Sequence, residues 1–513
     1  MSETTDLVNR SLGGDATPEF EERVERQAAA LREAIAAGDL DNADFAVGLE
    51  LEVYAVARGE DDGDGGHLTP LSDDVFDGVA NKELGLHNAE INTEPNVMDG
   101  DGLAAQADSI AARFEAAQQA AREHGQELVP DAMWTIPPAA GSDPYLSGHE
   151  TVDGVSIAGN MRPDPRYLAI DNEVLDLAGG DIDFSVPGVD RAFPSILFES
   201  LATSIQPHLQ IPSAEDFPEY YNAAIRTLGP VLAIGTNAPF LPPDLYTDVD
   251  DPHRLVDETH HELRIAAFEQ SVNVSPNPKV RVPRDLDDAT EVAERVVEDD
   301  LYAPFLREWL DESPRDTFAD QHWEFDYKRS TYWRWLRCVV GGDHIDARND
   351  ERSLRIEYRP IPTQPTVRDV VGMQALTTGL VRGLVATGHP LTELPWAAAE
   401  ESFYSAVESG LDADLAWVTA DGERTDDAET VFGEVFEYAR RGLREAEVPA
   451  ADVDHYLSPI EARWEAGVTP SVWKKECVRD RLDAGESLAE AIEGMQHTYI
   501  RQSRTLSSFA EWL

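Results

Sequence analysis

Four segments of the sequence place charged or amide side chains at every second position. Successive side chains of a β-strand point to opposite faces, so each segment is predicted to be a strand with one polar and one apolar face. In the first segment Glu50 and Glu52 share a face, and leucine and valine side chains occupy the other. The remaining polar faces are Glu90, Asn92 and Glu94; Gln206, His208 and Gln210; and Arg355, Glu357 and Arg359.

Brought together on one sheet, these polar faces would form a wall of carboxylates, one imidazole and several guanidinium groups. Magnesium prefers oxygen ligands and usually bridges a few carboxylates to nucleotide phosphates. Arginine stabilises the charge that develops on a phosphoryl group during its transfer. For any single strand, a solvent-facing strand of an acidic protein is an equal alternative. Four such strands, with histidine in one and Arg–x–Glu–x–Arg in another, favour a phosphoryl-transfer site.

The elements that must position these residues are predicted from hydrophobic periodicity and from glycine and proline. Strands are predicted at 45–57, 86–93, 203–211 and 353–359, and helices at 18–38, 102–124, 218–234 and 285–311. Residues 130–200 read as loops with short elements, and the chain beyond 366 reads as helical. The predicted fold is α+β, with antiparallel strands and helices packed on one side.

Two local signals qualify this organisation. Pro207 cannot donate a backbone hydrogen bond, so its strand is predicted to be an edge strand or to contain a bulge. The sequence GEDDGDGG at residues 59–66 predicts a hairpin tip. A calcium loop is the weaker interpretation because the closing glutamate of such a loop is missing.

The composition is strongly acidic. Asp and Glu number 99 against 41 Lys and Arg, the formal charge is −58, and only five of the basic residues are lysines. Such a surface repels nucleic-acid phosphate and anionic membranes, so neither is a predicted partner. The dispersed charge would strain the compact state unless salt screens it, and the Debye length falls to about 3 Å near 1 M salt. We therefore predict a halophilic source with a salty cytoplasm.

Cysteine and hydropathy patterns predict a cytoplasmic location. Cys338 and Cys477 lack metal-type spacing and indicate a reducing compartment. The N-terminal segment lacks the apolar core of a signal peptide, and the apolar stretch around 229–241 is too short to span a bilayer. The sequence has no Walker loop, His–Glu–x–x–His, Gly–x–Ser–x–Gly or Rossmann glycine motif, so any nucleotide site has to be built on the sheet.

In their order along the chain, the four strand segments resemble the signature strands of glutamate–cysteine ligases, in particular the carboxylate–amine ligase-like branch of bacteria and archaea. The matching text is Leu49-Glu-Leu-Glu52, Glu90-Ile-Asn-Thr93, Thr203-Ser-Ile-Gln-Pro-His208 and Arg355-Ile-Glu-Tyr-Arg359. The text from Tyr221 to Pro230, running on to Pro239, is similar to that family's helix and following loop. The resemblance covers residues 45–385 and implies a glutamine-synthetase-like fold, in which a curved antiparallel sheet holds metals and nucleotide.

The resemblance also implies roles for individual residues. The implied metal ligands are Glu50, Glu52, Glu83, Glu90, His208 and Glu357. Arg359 would face the γ-phosphate or the acyl phosphate, so Arg359 and Glu357 are the implied catalytic residues. The implied cofactor is Mg²⁺ or Mn²⁺, with ATP as co-substrate, and the implied reaction joins the γ-carboxylate of glutamate to an amine, foremost cysteine. Gln210 departs from the family pattern, in which many relatives have a second histidine.

Other basic residues are further candidates. Arg166 and Arg226 could hold a substrate carboxylate, because arginine binds carboxylates through two hydrogen bonds, and a structural ion pair is an equal alternative for each. Lys328 lies in an aromatic-basic segment, 322–337, that could face nucleotide phosphates. A core-packing helix with paired arginines is the favoured interpretation of that segment.

The predicted parts of the chain are an N-terminal helical extension (1–40), a catalytic ligase domain (41–390) and a C-terminal helical region (391–513). Two alternative functions remain open at this point. One is a carboxylate–amine ligase with a different acid or amine, and the other is a relative without turnover that serves as a binding or regulatory subunit. The sequence leaves the oligomeric state open.

Overall fold

A computed structural model describes residues 2–59, 66–247, 249–310, 318–341 and 352–513. Residues 60–65 of the predicted hairpin tip lie outside these ranges. The helices are α1 (Ser2–Leu12), α2 (Thr17–Ala37), α3 (Gly100–Glu123), α4 (Ser142–Ser147), α5 (Pro165–Ala178), α6 (Phe217–Gly235), α7 (Pro252–Glu258), α8 (Leu263–Val272), α9 (Glu291–Glu298), α10 (Phe318–Gln321), α11 (Trp323–Arg329), α12 (Val367–Ala386), α13 (Trp396–Ser409), α14 (Ala428–Glu445), α15 (Ala450–Ala466), α16 (Pro470–Asp483) and α17 (Leu488–Thr505). The strands are β1 (Ala46–Ala57), β2 (Asn81–Lys82), β3 (Asn88–Asn92), β4 (Asn96–Val97), β5 (Gln126–Val129), β6 (His149–Val152), β7 (Val155–Ala158), β8 (Ile182–Val186), β9 (Val189–Phe193), β10 (Ile205–Ile211), β11 (Leu336–Val340), β12 (Leu354–Tyr358), β13 (Trp417–Val418) and β14 (Arg424–Thr425).

An eight-stranded antiparallel sheet forms the centre of the molecule. Its strand order is β11-β12-β10-β1-β3-β2, and β4 and β5 also pair with β1. The four strands predicted from alternating polarity are therefore neighbours, in the order β12, β10, β1 and β3. The predicted α+β fold with a curved antiparallel sheet and packed helices is confirmed.

The apolar face of the sheet is buried by helices. α3 and α12 contact β1, and α12 also contacts β10. Leu49, Leu51 and Val53 of β1 are at most 1% exposed, as the alternating pattern requires. The Gln374 side chain of α12 donates a hydrogen bond of 3.0 Å to the Gly48 carbonyl, which joins the helix to the strand.

Local sequence explains where several helices begin and end. Asp164 precedes α5 and accepts a hydrogen bond from the Arg166 amide, and Pro165 occupies the first turn. Gly179 ends that helix in the left-handed region, at φ 77°. α17 begins with a capping box formed by Ser487 and Glu490. α5 therefore has clear boundary signals, although the sequence analysis assigned residues 130–200 to loops.

The C-terminal helices share a core with the sheet domain. α12 and α14 are in close contact. A Cβ atom added at Gly383 of α12 would lie only 1.9 Å from the Tyr438 carbonyl oxygen of α14. One continuous cluster of buried apolar side chains runs from Val8 to Ile460. The proposed boundaries at residues 40 and 390 thus fall between elements that pack together, and they stay predictions.

The predicted helix at 285–311 is much shorter in the structure. α9 covers only Glu291–Glu298, and a 3₁₀ turn at Arg307–Trp309 follows. Between them Ala303 has a positive φ of 45° and precedes Pro304, so the chain cannot continue as a helix there. The aromatic-basic segment also divides, into α11 and the edge strand β11, because its periodicity changes within a few residues.

The lysines are unevenly distributed between core and surface. Lys279, Lys328, Lys474 and Lys475 are at most 8% exposed, whereas the Lys82 side chain is 50% exposed. Among the described residues, the outer surface is therefore acidic with arginine as nearly its only cation. In the same ranges of the chain, no helix combines the length and apolarity needed to cross a membrane.

Candidate functional site

Strand register brings three predicted ligands together at the centre of the sheet. His208 on β10 pairs with Glu357 on β12, and it lies opposite Gly48, two residues before Glu50 on β1. The Nε2 atom of His208 is 3.1 Å from an oxygen of Glu50. One ligand atom from each of Glu50, His208 and Glu357 lies within 4.8 Å of the others. This group can share one metal ion.

A bulge lies beside this group. His208 pairs with Glu357 but Ser204 bridges to Pro362, so the four residues 358–361 face the three residues 205–207. β10 pairs with both β1 and β12, so it is an interior strand, and of the two predictions made from Pro207 the bulge is the correct one. Bulges redirect side chains near active sites, and here the bulge includes Arg359.

Glu357 is held by two guanidinium groups. Arg337 on β11 donates to both of its carboxylate oxygens, one of these bonds being 2.9 Å long. Arg359 donates to Glu357 at 2.8 Å and to the Gln206 side-chain oxygen at 2.7 Å. Burial alone would raise the pKa of Glu357, but Arg337, Arg359 and His208 hold that pKa well below its usual range. Glu357 is therefore an anion in the site.

A second group of carboxylates faces the same space: Glu52, Glu83, Glu90 and Glu199. Glu52 lies opposite Glu90 and accepts hydrogen bonds from the Ser204 amide (2.6 Å) and the Gln206 side chain (3.0 Å). Burial and the charges of Glu50 and Glu52 raise the pKa of Glu90 to about 7. Burial and the charge of Glu52 raise that of Glu199 to about 8. Like charges in a confined space oppose one another's ionisation, and a bound cation would relieve this repulsion.

The donor set fits a hard divalent cation. Among the described residues, six carboxylates line the cavity but only three arginines do: Arg166, Arg337 and Arg359. Both ring nitrogens of His208 are buried, and neither has a hydrogen bond within the described part of the chain; the 3.1 Å contact to Glu50 lacks hydrogen-bond geometry. A buried imidazole beside two carboxylates, with carboxylate oxygens in excess, is a suitable environment for Mg²⁺ or Mn²⁺.

These residues line a cavity of about 340 Å³ on the polar face of the sheet. The six carboxylates are called its floor here: four lie on strands of the sheet, Glu83 follows β2, and Glu199 lies in a 3₁₀ segment. Further lining residues come from α5, α8 and the aromatic segment before β11, which are called its wall. That wall is largely apolar, with Ile170, Phe268, Val272 and Trp333. A smaller cavity of about 170 Å³ is lined by Glu50 and His208, among other residues. The site can therefore hold a charged group on the floor and an apolar or aromatic group on the wall.

Arg166 lies where a substrate group could reach it. It stands at the start of α5 and lines the larger cavity. Its guanidinium group donates to the Ser330 hydroxyl and lies 5.1 Å from the Tyr327 ring centre. Within the ranges that the structure covers, no carboxylate forms an ion pair with it. The structure thus offers no support for the alternative of a structural ion pair.

Arg226 and Lys328 are not brought to the cavity. Arg226 forms an ion pair with Asp285 and donates to the Leu394 carbonyl at 3.0 Å. Lys328 donates to the Val297 carbonyl at 2.6 Å and is 5% exposed. Their polar atoms are occupied by the protein itself, so their placement does not support binding of substrate or nucleotide.

Two residues of the site were not predicted as such: Glu199 was not considered, and Arg337 was included only in the aromatic-basic segment 322–337, for which core packing was favoured. Arg337 alternates with buried neighbours in β11, but the aromatic-basic segment around it suggests a helix instead. Glu199 lies in the 3₁₀ segment Ile196–Leu201, which has neither the period of a strand nor that of an α-helix. The alternation in β11 could have identified Arg337, whereas no local pattern marks Glu199.

Comparison with known proteins identifies a family and a fold. The model of glutamate-cysteine ligase family 2 (GCS2) matches residues 46–503. No curated protein matches the chain. A solved structure of glutamate–cysteine ligase from Francisella tularensis in complex with AMP has a TM-score of 0.50 and 12% sequence identity, over 91% of this chain and 90% of that chain. A bifunctional glutathione synthetase from Pasteurella multocida has a TM-score of 0.49 and 13% identity, over 93% of this chain and 54% of that one. At such identities the likeness concerns the fold.

Proposed function

The chain belongs to glutamate–cysteine ligase family 2, and we propose that it uses ATP to join the γ-carboxylate of glutamate to the amine of cysteine. Membership of this family supports an ATP-dependent carboxylate–amine ligase. The choice of glutamate and cysteine is the proposal, because no residue of the site specifies a thiol.

One arrangement carries the proposal: Glu50, His208 and Glu357 lie within ligand distance of one another, and Arg359 is bonded to Glu357. Phosphoryl transfer needs a metal that neutralises phosphate oxygens and a cation that meets the charge developing on the transferred group. Glu50, Glu357 and Arg359 line one cavity, and His208 lines the smaller cavity beside it. A structural cluster would not need so many carboxylates facing an open space.

We assign the metal to carboxylates of the cavity and to the histidine beside them. Glu50, His208 and Glu357 would hold one ion, and Glu52, Glu83 and Glu90 supply carboxylates for a further one. Mg²⁺ or Mn²⁺ bound there would neutralise the phosphate oxygens of ATP.

In the proposed first step, a γ-carboxylate oxygen of glutamate attacks the γ-phosphorus of ATP. The new P–O bond forms as the bond from the γ-phosphorus to the β–γ bridging oxygen breaks, which releases ADP and leaves an acyl phosphate. Arg359 is placed to stabilise the charge that grows on the transferred group, because Glu357 and Gln206 fix its guanidinium group from two sides. Arg337 keeps Glu357 ionised and oriented.

In the proposed second step, the amine attacks the acyl carbon, the C–N bond forms, and phosphate leaves with the electrons of the broken C–O bond. The ammonium proton passes to solvent or to a carboxylate of the floor. Arg166 would bind an α-carboxylate of the bound amino acid, because it lines the same cavity as the carboxylates. Arg166→Gln should therefore raise the KM of that amino acid by about tenfold, the loss of one charge-assisted contact, while the KM of ATP changes less.

The direct test is ATP cleavage in concentrated salt with Mg²⁺ and a panel of acids and amines. We expect ADP and phosphate to appear in equal amounts with γ-glutamylcysteine, and only when glutamate and cysteine are both present. Turnover with another acid or amine would support a carboxylate–amine ligase but contradict glutamate and cysteine as its substrates. Absence of ATP cleavage with every pair would contradict the proposal and favour a binding or regulatory relative.

A further inference from the structure

The backbone that carries Arg359 is held by a second, more deeply buried arginine. Arg264 lies in the first turn of α8, is 3% exposed and does not line the cavity. Its Nη2 atom donates to the Pro360 carbonyl and lies 3.5 Å from the Arg359 carbonyl oxygen. Arg264 therefore contacts the peptide units on the C-terminal side of Arg359.

Arg264 also contacts the segment on the other side of Arg359. Its guanidinium carbon lies 5.4 Å from the Trp335 ring centre, within the range of a cation–π contact. The Trp335 carbonyl accepts the Arg359 amide hydrogen bond at 3.0 Å. The Trp335 indole N–H is anchored in turn on Glu269 at 2.7 Å. The Arg264 guanidinium group thus contacts Pro360, which follows Arg359, and Trp335, whose carbonyl accepts the Arg359 amide.

This support matters because ladder hydrogen bonds are sparse here. The bulge places residues 358–361 out of register with β10, and Pro360 has no amide hydrogen to donate. Next to Arg359, the ladder to β10 resumes only where the Ile205 amide donates to the Ile361 carbonyl at 3.0 Å. The backbone at Arg359 consequently has few ladder hydrogen bonds on the β10 side, and Arg264 supplies a contact to it from outside the sheet.

The charge of Arg264 interacts most strongly with Glu262, and also with Glu52 and Glu199 of the cavity. Its Nε atom lies 3.6 Å from Glu262, which is fully buried. The other oxygen of Glu262 accepts the Asn237 amide at 2.9 Å, and the Asn237 carbonyl accepts from Lys474 of α16 at 2.7 Å. Contacts therefore continue from Arg359 through Arg264 to the C-terminal helices.

We propose that Arg264 is a positioning residue that fixes Arg359 over Glu357, with Glu262 holding Arg264 in place. The inference rests on the proposed function for the role of Arg359 in phosphoryl transfer. It adds that the C-terminal helices support this geometry through Lys474, Asn237 and Glu262. A purely structural role for Arg264 is the alternative that the experiment must separate.

Two variants test the proposal. Arg264→Met removes both the charge and the planar guanidinium group. Arg264→Lys keeps a charge beside Glu262 but loses the planar group. Arg264→Lys is the fallback if Arg264→Met does not fold, since breaking a buried pair is strongly destabilising. Arg463→Met is the matched control. Arg463 is also buried, and it likewise contacts a carboxylate (Asp369, 2.9 Å), a carbonyl and an aromatic ring, but it does not line the cavity.

The first readout is single-turnover ATP cleavage per folded molecule, in a double-mutant cycle with Arg359→Ala. We expect Arg264→Met to slow cleavage by about 10- to 100-fold with little change in ATP affinity, because small misplacements of a reacting group have effects of this size. In the Arg359→Ala background, the same change should cost less than about twofold. Equal losses in both backgrounds would overturn the proposal, and equal losses are expected for Arg463→Met.

The second readout needs no activity: hydrogen exchange of the Arg359 amide. We expect it to exchange at least about tenfold faster in Arg264→Met than in Arg463→Met, while the β12 amides stay protected in both. Equal rates in the two variants would show that Arg264 does not hold this backbone. If the wild-type chain cleaves no ATP, the proposed function fails, and this measurement still decides whether Arg264 positions Arg359.

Discussion

Two buried groups of charged side chains in this molecule carry opposite imbalances. Within the described ranges, the sheet site has six carboxylates and three arginines, all lining a cavity. The second group, here called the closed cluster, consists of Lys279, Lys328, Arg334 and Asp299, all at most 7% exposed. Asp299 pairs with Lys279 and, at 2.6 Å, with Arg334. None of the four lines either cavity of the sheet site.

The closed cluster and the sheet site differ in which groups of the protein pair with their excess charge. In the closed cluster, backbone carbonyls accept from every cation: Asp300 from Lys279, Lys279 from Arg334, and Val297 from Lys328. In the sheet site, Glu83 receives only the amide of its neighbour Leu84 among the described residues, at 3.3 Å. Burial and then the charges of Glu90 and Glu52 raise its pKa well above the usual range. Excess charge that the protein itself satisfies is structural, and excess charge left facing a cavity calls for a ligand.

The largest expected effect comes from removing a metal ligand in the sheet site. Glu50→Gln keeps the volume and removes a charge, so the protein should fold while ATP cleavage falls by several orders of magnitude. Glu94→Gln is the matched control, since Glu94 is 69% exposed and pairs with Arg113 on the surface. Near-normal turnover in a folded Glu50→Gln protein would contradict the assignment of a metal to Glu50, His208 and Glu357.

The second effect tests the closed cluster. Asp299→Asn leaves Lys279 and Arg334 without their shared counterion, so we expect the free energy of unfolding to fall by about 3–5 kcal/mol. Turnover per folded molecule should stay unchanged. Denaturant unfolding in concentrated salt measures the first quantity, with Asp300→Asn as the control. A loss of turnover without a loss of stability would contradict the purely structural role of the closed cluster.

Arg359 is expected to act on the transition state. Arg359→Ala should reduce turnover by about 10²- to 10³-fold, by analogy with the loss of other charge-stabilising donors, and Arg359→Lys should lie in between. Equilibrium ATP binding should change much less. Equal losses in turnover and binding would make Arg359 a ground-state binder, and no loss in either would leave it as the structural partner of Glu357.

The smallest effect is expected at Lys328. Because its ammonium group is occupied by the Val297 carbonyl, Lys328→Met should change ATP affinity by less than about twofold, at a stability cost of about 1 kcal/mol for the lost hydrogen bond. Isothermal titration with ATP and Mg²⁺ measures the affinity. A tenfold loss of affinity in a folded variant would restore Lys328 as a nucleotide-binding residue.

The sequence was sufficient to predict the strands of the site but not their register. The period of two identifies β1, β3, β10 and β12, because each must bury one face. The pairing of His208 with Glu357, which gives the metal group its geometry, depends on contacts between strands that are far apart in sequence. A shift of one residue would have separated them.

Side chains brought in from irregular or mixed segments could not be predicted in the same way. Glu199 comes from a 3₁₀ segment without periodicity, and Arg337 from a strand that residues 330–335 separate from the preceding helix. Arg226 and Lys328 were predicted from residue type alone, and residue type does not reveal whether a neighbouring carbonyl or carboxylate already uses the donor. The halophilic source and the cytoplasmic location stay predictions.

The uneven distribution of lysines has a practical consequence for labelling. Reagents that acylate primary amines need an accessible ammonium group, and four of the five lysines are buried. Lys82, at the sheet edge and next to Glu83 of the cavity floor, is the accessible lysine side chain. One reaction with an activated ester, after the α-amine has been blocked, would therefore attach a fluorophore one residue from the site. Its emission could follow ligand binding in a protein without any engineered cysteine.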